Sequence, residues 1–152
     1  MPETVLRLYT DGASRGNPGH GGAGAVLTDG KGAVVATAKK YLGQCTNNVA
    51  EYRALIMGLE EALKLHCRRL RIFLDSELLV NQINGSYRVK NENLKGLMQE
   101  VRKLLAFLDN YTVQHIDRSG NHLADGLANE AIEEALCAGN HAPASGQRSE
   151  KH

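Results

Sequence analysis

The pattern of apolar and polar positions changes period along the chain, and each change marks an element. Val5-Leu6-Arg7-Leu8-Tyr9-Thr10 is rich in branched and aromatic side chains and stops at Asp11-Gly12, which predicts a first strand. Glycine then takes over. Gly12, Gly16, Gly19, Gly21, Gly22 and Gly24, with Asn17-Pro18 among them, predict a tight turn followed by backbone that must pass close to something. Ala23 to Thr28 and Ala33 to Leu42 read as two further strands joined at Asp29-Gly30-Lys31-Gly32, so the chain opens as an antiparallel meander. From Asn48 the apolar residues fall three and four apart: Val49, Tyr52, Ile56, Leu59, Leu63 and His66 form the stripe of a long helix that Asn47 or Asn48 can cap.

Leu70 to Leu74 is a nearly continuous apolar run ending at Asp75-Ser76, the pattern of a buried strand. Glu77 to Ile83 predicts a short helix stopped by Asn84-Gly85, Asn93 to Leu108 a longer one, Tyr111 to Ile116 a fifth strand and Ala124 to Leu136 a last helix. Beyond Cys137 periodicity and large apolar side chains fade, which predicts a folded unit over 1–137 and a disordered tail over 138–152. The order βββαβααβα implies an α/β fold: a five-stranded mixed sheet, its first three strands antiparallel, with helices on both faces. The first strand can then lie parallel beside the fourth at the centre.

Composition narrows the class. A chain of 152 residues with 42% hydrophobic and 23% charged residues forms one globular domain. No apolar run reaches the ~18 residues of a membrane helix, and Met1-Pro2-Glu3-Thr4 lacks the character of a signal peptide. Cys45, Cys67 and Cys137 form no C-x-x-C pair, which fits reduced thiols and a cytoplasmic protein with no membrane partner. With a formal charge of +1, whole-molecule attraction cannot drive nucleic-acid binding, and the scarcity of aromatics (5%) argues against a surface of rings stacked on single-stranded bases.

Four acids stand out by position. Asp11 and Asp75 each end an apolar strand, so parallel neighbours would present both at the carboxyl edge of the sheet, where open α/β sheets bind ligands. Glu51 falls in the first turn of the long helix, and Asp125 opens the last helix within Leu123-Ala124-Asp125-Gly126-Leu127. Taken singly, each acid is explained as a turn former, a cap or a first-turn acid. Brought together, they repel and demand a cation. Hard oxygen ligands select Mg²⁺ or Mn²⁺ over Zn²⁺, and two such ions ~4 Å apart support phosphodiester hydrolysis.

Tyr9-Thr10-Asp11-Gly12-Ala13-Ser14-Arg15-Gly16-Asn17-Pro18-Gly19, Thr46-Asn47-Asn48-Val49-Ala50-Glu51, Asp75-Ser76 and Asn121-His122-Leu123-Ala124-Asp125 resemble, in order, the motifs of type 1 ribonuclease H. The resemblance implies the ribonuclease H-like fold and a catalytic domain over 1–137. It also implies cleavage of the RNA strand of RNA/DNA hybrids, leaving 5′-phosphate and 3′-hydroxyl ends, by a monomer with no obligate protein partner. It makes Asp11, Glu51, Asp75 and Asp125 the ligands of two Mg²⁺ ions, with Mn²⁺ as a substitute. Gly12, Ala13, Ser14, Asn17, Thr46, Asn47, Asn48, Ser76, Glu77 and Asn121 become the nucleic-acid contacts.

The chain departs from the family pattern in three places. It has no mobile loop carrying a histidine before Asp125, Glu77 stands where a glutamine is common, and the large basic protrusion of some members is missing between the middle helices. Arg118 is then the candidate cation at the scissile phosphate, a catalytic role that His122 and His115 are poorly placed to fill. Two other readings remain open: a non-catalytic hybrid-binding module, and another nuclease of the same fold. Gly19-His20-Gly21-Gly22-Ala23-Gly24 matches G-x-G-x-x-G but runs into a strand, so the dinucleotide reading fails.

Overall fold

The computed structural model describes residues 5–141. Five strands, β1 (Val5–Gly16), β2 (Gly19–Thr28), β3 (Val34–Cys45), β4 (Arg69–Leu74) and β5 (Asn110–His115), form one sheet in the order β3-β2-β1-β4-β5. The helices are α1 (Asn47–Lys64), α2 (Glu77–Ile83), α3 (Glu92–Leu105) and α4 (His122–His141), with a short 3-10 turn over Arg118–Asn121 ahead of α4. β1 pairs antiparallel with β2 and parallel with β4, so the expected mixed sheet with the first and fourth strands at its centre is present. None of the described helices is long and apolar enough to cross a membrane.

The largest departure from the sequence reading is the glycine run. It is strand, not turn: β1 and β2 stay paired from Arg7↔Thr28 through Gly16↔Gly19, and only Asn17 and Pro18 form the loop. Glycine is needed there because helices sit on this part of the sheet at backbone distance. A Cβ on Gly12 would strike the carbonyl of Ala50 in α1, and one on Gly24 the carbonyl of Ala124 in α4. The expected tight turn is thus present but confined to Asn17 and Pro18, and the close backbone approach is made by paired strand.

α1 is capped by Thr46, not by Asn47 or Asn48. Thr46 keeps an extended backbone and its hydroxyl accepts from the Val49 N–H at 3.2 Å. The helix ends at Lys64, and His66, expected as its last apolar-face residue, instead reverses the chain at φ 59°. The last helix begins two residues earlier than expected and runs to His141. It thus takes in Ala138–His141 of the anticipated tail, whose remainder, 142–152, lies outside the described residues.

Leu8, Leu55, Leu59, Leu70, Ile72, Leu74 and Val101 are almost wholly buried between the sheet and the α1, α2, α3 layer, and Ala128 and Ile132 of α4 are buried on the opposite side. Adding a methyl group at Gly24 must push α4 off the sheet. Gly24→Ala should cost about 1–3 kcal/mol in urea unfolding, whereas Gly30→Ala, with open space around it, should change stability by less than about 0.5 kcal/mol.

Candidate active site

Thr10 pairs with Leu74 in the parallel β1–β4 ladder, so the next residue of each strand, Asp11 and Asp75, leaves the sheet beside the other. Glu51 reaches the same point from α1. Since that helix starts at Asn47, Glu51 lies in its second turn, not its first, and owes its place to packing more than to the helix dipole. Single oxygens of Asp11, Glu51 and Asp75 lie within 4.8 Å of one another. Asp125, in the first turn of α4, lines the same cavity of about 490 Å³, together with Gly12, Ala13, Ser14, Asn47, Asn48, Ser76 and Arg118.

Three of the four acids are oriented by neutral donors. The Gly12 N–H donates to Glu51 Oε1 at 3.2 Å, Asn121 Nδ2 to Asp75 Oδ2 at 3.1 Å, and Asn129 Nδ2 to Asp125 Oδ1 at 3.3 Å. Asn121 also donates to the Thr10 carbonyl at 2.9 Å and is 1% exposed. It therefore tethers β1 to Asp75 from inside the protein and has no face to offer nucleic acid, which corrects its expected role. Asn129 was missed by the sequence reading. Its i+4 spacing from Asp125 on a helix was the available signal, and Arg15, itself paired with Glu133 at 2.7 Å, donates to its Oδ1 at 3.1 Å.

A second cavity of about 410 Å³ adjoins the first, sharing Asn47 and Asn48 and adding Asn17, Thr46, Asn91 and Asn93. Here amide oxygens are consumed by backbone: Asn17 Oδ1 accepts from the Asn47 N–H at 3.0 Å, and Asn91 Oδ1 accepts from Asn93 and Leu94 as the cap of α3. The amino groups remain, so the groove offers donors. Asn91 and Asn93 were not foreseen, because only the fold brings the α3 cap beside the α1 cap. Glu77 is exposed in the first turn of α2 and lines neither cavity. Ser76, one residue earlier, caps that helix through Leu79 N–H. His122 is exposed and outside the acid cavity, which Arg118 does line.

The family model described as "Reverse transcriptase-like" matches residues 9–131. Ribonuclease HI of Halobacterium salinarum is 40% identical over 130 residues, covering 86% of this chain and 65% of that protein. Ribonuclease H of Chlorobaculum parvum is 38% identical over 152 aligned positions, covering 87% of this chain and 98% of the relative. The chain belongs to the ribonuclease H family. It spans only 35% of a mycobacterial bifunctional protein with 41% identity. Among solved structures of the family, LC11-RNase H1 in complex with RNA/DNA hybrid aligns with a TM-score of 0.82 at 41% identity, covering 86% of this chain and 99% of that one.

The family's acid cluster is electrostatically unfavourable without a cation. Burial, then the Glu51 charge, then the Asp125 and Asp75 carboxyls push the Asp11 carboxyl up to about 9. Burial and the Asp75 charge push Glu51 up to about 8, against the Gly12 N–H and Arg118, which favour its charged form. Four carboxylates with oxygens facing one cavity fit a hard divalent cation, whose charge would remove this repulsion. Because the folded-state values lie above the ordinary 3.8 and 4.5, the metal-free folded protein binds more protons than the unfolded chain between about pH 4 and about pH 9. Stability in EDTA should therefore fall as pH rises through that window, and Asp11→Asn should flatten the slope. Thermal melting across the window checks this; a parent melting temperature that rises with pH would contradict the repulsion.

Proposed function

We propose that this chain is a metal-dependent endoribonuclease that hydrolyses the RNA strand of RNA/DNA hybrids, leaving 5′-phosphate and 3′-hydroxyl ends. The observation that carries this reading is the meeting of Asp11, Glu51, Asp75 and Asp125, from four different elements, in one polar cavity next to a groove of amide donors. A family relative crystallised with an RNA/DNA hybrid supports the substrate.

Asp11, Glu51 and Asp75 would hold one Mg²⁺, and Asp11 with Asp125 a second, with Mn²⁺ as substitute. When bound, the ions supply Lewis acidity and a nucleophilic water. The protein's own groups do the rest. Gly12 N–H, Asn121 and Asn129 hold three of the carboxylates by one oxygen each, which leaves the other oxygens for ligation. Glu51 and the backbone of Gly12 to Ser14 meet the ribose 2′-hydroxyls that separate RNA from DNA. Asn17, Thr46, Asn47, Asn48 and Asn91 donate to phosphates of the DNA strand without net charge, and Ser76 lines the floor of the RNA site. Arg118 steadies charge developing on the scissile phosphate. Buried, unbridged Cys45 and Cys67 support a reducing, cytoplasmic setting, and we read the active form as a monomer.

Single replacement of Asp11, Glu51 or Asp75 by its amide should cut single-turnover cleavage of an end-labelled hybrid by more than about 10²-fold. Near-parent turnover by Asp11→Asn would remove the metal assignment. The same assay with the RNA strand paired to RNA, or unpaired, separates this reading from that of another nuclease of the fold. His122→Ala should cost less than about tenfold, below what a proton-transferring group contributes, and Arg118→Ala should cost more. The reverse order at saturating metal would make the histidine the catalytic group.

A further inference from the structure

One side of the sheet is only partly covered. α4 packs across β1, β2 and β3, while beyond it β4 and β5 leave Arg71, Thr112 and Gln114 exposed. Strand alternation decides what this face carries. Leu8, Leu70, Ile72 and Leu74 are buried in the core, so Arg7, Tyr9, Arg71 and Phe73 point the other way. The parallel register sets Arg7 beside Arg71 and Tyr9 beside Phe73. The two rings stack with centroids 5.0 Å apart at 17°, and the Arg71 guanidinium lies 5.9 Å from the Phe73 centroid.

Several surface cations are held by carboxylates. Arg15 pairs with Glu133, Lys39 with Glu130 and Glu134, and Arg68 with Asp109. Neither Arg7 nor Arg71 has a carboxylate partner among the described residues. Tyr9 also lines a cavity of about 210 Å³ with Val26, Thr28, Asn121 and Leu123. This slot, bordered by the Tyr9 ring, suits a nucleobase, which has π faces. Arginines without a carboxylate partner and a half-buried aromatic stack suit the strand that carries it.

Position supplies the direction. Tyr9 and Phe73 precede Asp11 and Asp75 by two residues on the same strands, so the ring pair lies about 7 Å from the acids. We propose that this face binds an unpaired stretch of the RNA strand continuing beyond the hybrid, with a base in the slot beside Tyr9 and phosphates on Arg7 and Arg71. The low aromatic content that argued against such a surface is offset by register, which places two of the few rings side by side. The inference rests on the nuclease reading only for which strand bears the tail.

Binding is measured by fluorescence anisotropy in EDTA, where no cleavage occurs, on a blunt hybrid and on the same hybrid with a short single-stranded RNA tail at one or the other end. Cleavage of the blunt hybrid in Mg²⁺ is measured separately, so failure of the nuclease reading appears there and not in tail binding. A tail at one end should tighten binding about fivefold or more. Arg71→Glu and Phe73→Leu should each remove most of that gain while cleaving blunt hybrid within about twofold of the parent. Lys103→Glu, on exposed α3 surface, should keep it. The proposal is overturned if neither tail tightens binding, if Arg71→Glu weakens blunt and tailed hybrids alike, or if Lys103→Glu has the same effect. Competition at this face by polyglutamate but not by single-stranded RNA would also overturn it, in favour of an acidic protein partner.

Discussion

Everything at this site depends on holding like charges together. Asp11 sits where three other carboxyls converge, and its raised affinity for a proton measures how unfavourable that gathering is in the absence of a cation. The opposing force is packing, transmitted through two backbone contacts. Gly12 follows Asp11 directly and lies against the carbonyl of Ala50, next to Glu51. Gly24, the cross-strand partner of Asp11, lies against the carbonyl of Ala124, next to Asp125. Each helix is thus pressed onto the sheet one residue from the acid it delivers. The buried leucines of the α1 layer and the small residues of α4 supply the cohesion that keeps these contacts closed.

Orientation is a separate problem from proximity, and neutral donors solve it. Cations in the cluster would stabilise the carboxylates but occupy the oxygens a metal needs. Amides and a backbone N–H hold one oxygen each of Glu51, Asp75 and Asp125 and leave the net charge intact. The amide groove uses the same device with opposite effect. There the Asn17 and Asn91 oxygens are spent on helix-start N–H groups, and what faces the groove is donor chemistry with no charge to repel an incoming metal. Among the described residues Arg118 is the one cation lining the acid cavity, and it is exposed.

Most of the architecture was legible because it rests on short-range pattern. The helical stripe from Val49, the apolar run before Asp75 and the Asn84-Gly85 stop each encode their element locally, and α2 matches its predicted bounds of Glu77–Ile83. The four acids were legible because strand ends and helix starts locate them. What stayed hidden depends on contacts distant in sequence. Glycines at Gly22 and Gly24 look like turn residues until α4 is known to lie on them. Asn121 looks like a surface residue until its amide is found spanning Thr10 and Asp75. Asn91 has no local signature of function, Asn129 has only its i+4 spacing from Asp125, and the placing of Arg7 beside Arg71 follows from a register that no single strand reveals.

Net charge hides the feature that organises binding. The formal charge of +1 sums an acidic cavity at the carboxyl ends of β1 and β4 and unpaired arginines a few residues upstream on the same strands. Much of the remaining surface charge cancels in exposed pairs that contribute little. A phosphate chain approaching the acid cavity meets repulsion from the acids until cations fill them, and attraction from Arg118 throughout. On the proposed function, metal uptake and strand binding are coupled: each lowers the electrostatic cost of the other, because the cation and the phosphate are mutual counter-charges in one cavity. The same repulsion that makes the empty cluster unfavourable makes the filled one selective for a ligand that brings its own negative charge.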